Sequence, residues 1–144
     1  MQELTGRCLC GAVHYRITAD PIVARVCWCR DCQRIASNGT VNVLVPTSGL
    51  ESTGELGEYL SVADSGNEMR RRFCPSCGSH LFANTSARPQ FTVVRAGTLD
   101  DPSAVRPAMN IWASSAPAWA CLDEDLERID RQPSPPPPPP PTRV

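Results

Sequence analysis

A single, mainly β domain of short antiparallel strands with little helix is what the sequence predicts, on three observations. Short stretches alternating apolar with polar residues recur along the chain, Gly and Pro separate them at close intervals, and no stretch sustains a helical apolar period. Of the 144 residues, those from Pro133 to Val144 hold eight of the fifteen prolines, seven of them consecutive. Residues 1–132 therefore form the expected domain, a length that suits one core. Residues 133–144 are expected to be a disordered polyproline tail, stiff and left-handed, because such a composition buries too little apolar area to order itself.

The elements follow in order. Gly6 to Thr18 reads as a first strand, with Cys8, Cys10 and, past Gly11, Val13, Tyr15 and Ile17 alternating with polar or basic neighbours, except that Leu9 and Ala12 fall on the other face. Asp20-Pro21 breaks it, and Ile22 to Trp28 is a second β-rich run. Cys29 to Ser37 is a short helix or turn, stopped at Ser37-Asn38-Gly39 by a left-handed residue. Thr40 to Val45 is a strand closed by Pro46, after which Leu50 to Thr53, Glu58 to Ser61 and Glu68 to Phe73 suggest a meander separated by glycines. His80 to Asn84, Phe91 to Ala96 and Ala108 to Ala113 are three further strands, and Leu122 to Ile129 is at most one or two helical turns. Trp112, Trp119 and Phe82 are read as core side chains, and Cys121 as a buried or spare thiol.

Composition excludes several functions. Fourteen basic and fifteen acidic side chains leave a net charge of -1, so nothing attracts a nucleic-acid backbone in general. Every basic residue is Arg, which removes Schiff-base and P-loop lysine chemistry. No apolar run approaches the roughly 20 residues of a membrane span. The start, Met1-Gln-Glu-Leu-Thr-Gly-Arg7, lacks the layout of an export signal, so a reducing cytoplasm is the expected compartment. The expected partners are small molecules, with no nucleic acid and no membrane; oligomeric state is not legible.

Eight cysteines in a reducing compartment point away from disulfides. Seven stand in tight groups, Cys8-x-Cys10, Cys27-x-Cys29-x-x-Cys32 and Cys74-x-x-Cys77, the spacing that a tetrahedral ion with soft ligands requires. The expectation is a zinc-containing domain with two ions. On a strand, Cys8 and Cys10 share a face and supply half a site. Cys74-Pro75-Ser76-Cys77-Gly78 is a knuckle, with Gly78 permitting positive φ, and supplies the other half. Four thiolates close that shell, so this zinc is expected to be structural. Cys27, Cys29 and Cys32 are left as a three-thiolate site with an open position, suited to holding an external thiol. Arg30 and Arg34 are its local candidate charge stabilisers. Cys121 or His80 as a fourth ligand is an open alternative, as is an empty, oxidation-prone trio. His80 is also a candidate hydrogen-bond donor to a thiolate. His14 is read as a surface or core residue, and Arg70-Arg71-Arg72 as a solvated or ion-paired run with Arg71 on the opposite face from its neighbours.

Over Gly6 to Leu122 the pattern resembles the glutathione-dependent formaldehyde-activating enzyme family, zinc-binding domains of β-tent type. The resemblance rests on Gly6-Arg-Cys8-Leu-Cys10-Gly11-Ala-Val13-His-Tyr15, Cys27-Trp-Cys29-Arg-Asp-Cys32-Gln-Arg34 and Arg72-Phe-Cys74-Pro-Ser-Cys77-Gly78-Ser79, with weaker echoes in Ala96 to Pro102 and Ser114 to Trp119. It implies a structural zinc on Cys8, Cys10, Cys74 and Cys77 and a catalytic zinc on Cys27, Cys29 and Cys32. The implied activity is that of a carbon-sulfur lyase, with glutathione as co-substrate adding to formaldehyde to give S-hydroxymethylglutathione. Trp28 and Asn110 stand where the family often has histidine. A non-catalytic zinc β domain that binds a peptide or protein, and a zinc thiol enzyme with another aldehyde or thiol substrate, are the alternative readings.

Overall fold

The structure, a computed structural model, describes residues 2–63 and 66–134. Most of the expected polyproline tail, residues 135–144, lies outside the described residues. The mainly β class is observed. The first strand expected at Gly6 to Thr18 is instead a hairpin of β1 (Leu4–Arg7) and β2 (His14–Ile17), paired from Leu4↔Ile17 to Arg7↔His14. The chain turns because Gly11 takes φ +82°, while Cys8 N-H bonds the Val13 carbonyl at 3.0 Å. Its alternating pattern belongs to the two arms of a hairpin, and Cys8 and Cys10 occupy the turn rather than one strand face.

Then come β3 (Val23–Cys27), a seven-residue helix α1 (Arg30–Ala36), β4 (Thr40–Pro46) and β5 (Leu50–Thr53). The helix stops at Ser37, which is left-handed at φ 59°. Next are β6 (Gly57–Val62), β7 (Glu68–Phe73), β8 (His80–Thr85) and β9 (Phe91–Arg95), then β10 (Met109–Ile111) and β11 (Glu127–Arg128). The helical turns expected from Leu122 to Ile129 are absent: β11 pairs parallel with β10, and Ile129 N-H bonds the Asn110 carbonyl at 2.9 Å.

Among the described residues the strands make two sheets. The smaller runs β1-β2-β5, and the larger runs β11-β10-β3-β4-β9-β8-β7-β6. The segment Leu50 to Thr53 leaves the expected meander to pair with β2, whereas β6 to β9 form it. Pairing is antiparallel except for β10 with β3 and with β11.

Paired residues share a sheet face, so the register sorts the larger sheet's side chains. One face carries Ala24, Val43, Val94 and Phe82, which pack with Tyr15 and Ile17 of the smaller sheet, and with Val13 just before β2, into the main core. Phe82 is 1% exposed and meets the Tyr15 ring edge-on at 5.3 Å. Gly6 is required here, because a Cβ would lie 2.3 Å from the Tyr15 ring. The opposite face carries Cys27, Thr40, Asn42, Arg95 and Arg71, with α1 against it. Phe82 is a core residue as expected; Trp112 is half-buried and Trp119 is 71% exposed, so the core reading fails for Trp119. Its neighbours are Ala and Pro, too small to cover an indole.

Candidate metal centres

The turn of the β1-β2 hairpin presents Cys8 and Cys10, and the turn between β7 and β8 presents Cys74 and Cys77. Their four sulfurs lie within 4.8 Å of one another, with Cys10 Sγ 3.7 Å from both Cys8 and Cys74. A tetrahedron with metal–sulfur bonds of about 2.3 Å has edges of about 3.8 Å, so these four fit a zinc-like ion. Backbone geometry prepares the cluster. Gly78 takes φ +77° and bonds the Cys74 carbonyl at 2.8 Å, and Val13 N-H points at Cys8 Sγ from 3.2 Å. Burial raises the Cys8 thiol, but the Val13 N-H and neighbouring thiols leave it below its ordinary value. The Ser79 hydroxyl and N-H, with the Cys10 N-H, bring Cys77 down to about 5. Ser79 Oγ sits 3.2 Å from Cys77 Sγ and accepts the Leu9 N-H at 3.0 Å, so it fastens the two turns together.

The second cluster is built within six residues. Cys27 ends β3, Cys29 caps α1 with its Sγ accepting the Cys32 N-H at 3.3 Å, and Cys32 lies in the first helical turn. Gln33 locks this corner by donating to the Trp28 carbonyl at 2.7 Å and to the Ser115 carbonyl at 3.0 Å. The three sulfurs lie within 4.8 Å of one another. No other histidine, cysteine or carboxylate among the described residues joins them. Hydrogen bonds from Cys27 and Cys29, aided by Thr40 and Arg95, hold Cys32 well below the usual thiol range despite burial. Cys27, as the donor, is pushed up. A metal bound here would displace the protons these sulfurs share, and this donor set also fits a soft ion.

The two alternative fourth ligands lie elsewhere. His80 stacks on Phe73 with ring centroids 5.7 Å apart, and burial together with Arg95 and Arg71 lowers its pKa, so it stays neutral. Cys121 is exposed rather than buried and lines a cavity of about 250 Å³ with Trp28, Asn110 and Arg106. Trp28 and Asn110 are bonded to each other, Nε1 donating to Oδ1 at 3.1 Å. His14 is exposed, consistent with a surface residue.

Arg30 and Arg34 lie exposed on α1, and the Arg30 guanidinium donates to Gln33. Two arginines of the sheet reach residues adjoining the trio. Arg95 donates to Thr40 Oγ1 at 3.2 Å, and Thr40 is the cross-strand partner of Cys27. Arg71 donates to Asp31, between Cys29 and Cys32, at 3.4 Å, and to Ser61 at 2.9 Å. Arg71 does face away from Arg70 and Arg72, but it is 7% exposed and not a solvated residue. Alternation was the one signal for Arg71; nothing local marked Arg95, whose position depends on the order β3-β4-β9.

Residues 3–115 match the family described as glutathione-dependent formaldehyde-activating enzyme. No curated protein matches. A crystal structure of a Rhodobacter sphaeroides protein superposes with a TM-score of 0.55 at 22% identity, covering 69% of this chain and 93% of that one. That likeness shows a shared fold.

Proposed function

Because the chain belongs to the glutathione-dependent formaldehyde-activating enzyme family, we propose that it is a carbon-sulfur lyase joining glutathione to formaldehyde at Cys27, Cys29 and Cys32. The observation that carries this reading is the trio itself: three converging sulfurs with no fourth protein donor among the described residues. A zinc ion held there would keep a glutathione sulfur as thiolate at neutral pH. The second zinc belongs to Cys8, Cys10, Cys74 and Cys77, where four sulfurs complete the shell and leave no position for substrate.

The chain's own contribution is orientation and charge. β3 and α1 aim the three sulfurs, Gln33 fixes the corner between them, and Arg95 and Arg71 offset the negative charge that converging thiolates build. In the addition, the thiol gives its proton to water, the thiolate pair forms the new carbon-sulfur bond, the carbonyl pair moves to oxygen, and that oxygen takes a proton back from water, so thiol and aldehyde alone are consumed. Guanidinium donors beside the cluster stabilise the developing oxyanion; Arg30 and Arg34 at its exposed rim are further candidates.

The test is exchange NMR of glutathione and formaldehyde with the zinc-loaded protein. Acceleration over the uncatalysed exchange, lost in Cys29→Ser with the fold retained, supports the proposal. An unchanged rate with both sites loaded overturns it.

A further inference from the structure

Arginines on the α1 face of the larger sheet lack matching carboxylate partners. Arg25, Arg71 and Arg95 all lie on this face by register. The one carboxylate that pairs with any of them among the described residues is Asp31, at 3.4 Å and half exposed. Arg95 bonds neutral oxygens, of Thr40 and Asn42. Three polar atoms here are buried without partners: Arg71 Nε, Arg95 Nε and His80 Nδ1. Buried guanidinium without a counter-ion is costly. With a divalent ion on three thiolates the cluster carries one negative charge, and counting the three arginines, Asp31 and the exposed Glu127, which shares this face through Met109 and Arg25, leaves the face neutral with Arg95 paired to no carboxylate. A second anionic group on an incoming thiol would therefore meet Arg95 rather than a carboxylate.

We infer that Arg95 and Arg71 form a carboxylate subsite beside the three-cysteine cluster, selecting thiol substrates that carry a carboxylate. This rests on the reading of that cluster as a thiol site. The subsite faces away from the main core, so it can be altered without touching Phe82, Val43 or Val94. Arg95 is the better probe because its partners are neutral and remain paired with a glutamine in its place.

The experiment uses cobalt-substituted protein, in which a bound thiolate changes the visible absorption. 3-Mercaptopropionate and 2-mercaptoethanol are titrated and corrected for thiol acidity. The carboxylated thiol is expected to bind about tenfold tighter, the low end of one charge-assisted hydrogen bond. In Arg95→Gln the preference should shrink to about twofold, with 2-mercaptoethanol itself bound more weakly because a positive charge beside the thiolates is lost. A preference that survives Arg95→Gln, or is missing from a native chain that binds both thiols, overturns the subsite. A second measurement needs no thiol: propionate should shift the arginine side-chain NMR signals of Arg95 and Arg71. If propionate shifts them while neither thiol changes the cobalt spectrum, the subsite stands and the thiol reading falls. If both thiols bind equally and propionate shifts nothing, the subsite alone falls. A carboxylate preference found for the aldehyde, glyoxylate over formaldehyde, and not for the thiol also overturns it.

Discussion

Replacing Cys74 with Ser tests whether the four-cysteine cluster acts as a cross-link between distant segments. Cys74 is fully buried, and its sulfur meets that of Cys10, 64 residues away. Treating the metal as a tie that closes a loop of that length, the unfolded chain is restricted by about 4 kcal/mol at 25 °C. Domains of this size are stable by roughly 5–15 kcal/mol, so the loss is a large share. At about 4 °C per kcal/mol, Cys74→Ser should melt about 15 °C below the native protein, with bound zinc falling from two ions to one. Calorimetry and metal analysis on the same preparation measure both. A fall of less than about 3 °C, with one zinc already lost, would refute the cross-link reasoning, since the metal would then have left without releasing the two turns.

Cys29→Ser should behave differently: serine is a good helix cap, so α1 persists, zinc falls by one ion, the melting point moves by only a few degrees and exchange activity disappears. Ser79→Ala removes the hydroxyl that lowers Cys77. A thiol depressed to about 5 contributes stability above its ordinary value near 9 and loses it as pH falls through 5, so this variant should release zinc at a higher pH in a chromogenic chelator assay. Phe82→Ala, at a site 1% exposed between the Tyr15 ring and the Arg72 guanidinium, should cost about 3–5 kcal/mol by denaturant unfolding. Asn110→Ala orphans the Trp28 indole N-H and should cost about 1–3 kcal/mol, visible also as a changed tryptophan emission.

What was legible in the sequence was chemistry confined to short spans. Cys27, Cys29 and Cys32 fall within six residues, so their spacing already contained the β3-to-α1 corner that brings them together. The pairing of Cys8 and Cys10 with Cys74 and Cys77 also emerged, because four sulfurs and a tetrahedral ion leave few partitions. The first pair converges through a hairpin turn rather than along one strand face, and the positive φ of Gly11 that makes it is hidden in an alternating pattern. Arg95 was illegible for a stronger reason. Its place beside Cys27 passes through Thr40 and requires β9 to lie next to β4, a long-range pairing that no local pattern encodes. The segment Leu122 to Ile129 failed similarly, since a two-residue strand exists only because β10 offers its edge.

Trp28 stands between two of the three clustered cysteines, yet the register places its effect elsewhere. Asn110 pairs with Val26, on the sheet face opposite Cys27, and the Trp28 indole bonds it there. Trp28 and Asn110 are thus a donor and an acceptor bonded to each other, while Asn110 Nδ2 is buried without a partner. A histidine at neither position is a missing sulfur partner, because the trio's neighbours are Thr40, Arg95, Asp31 and Arg71 on the other face. Altering one member alone leaves a buried polar atom unpaired, whereas altering both together need not. The departure from the family pattern therefore bears on the cavity bounded by Trp28, Asn110 and Cys121, on the sheet face opposite Cys27.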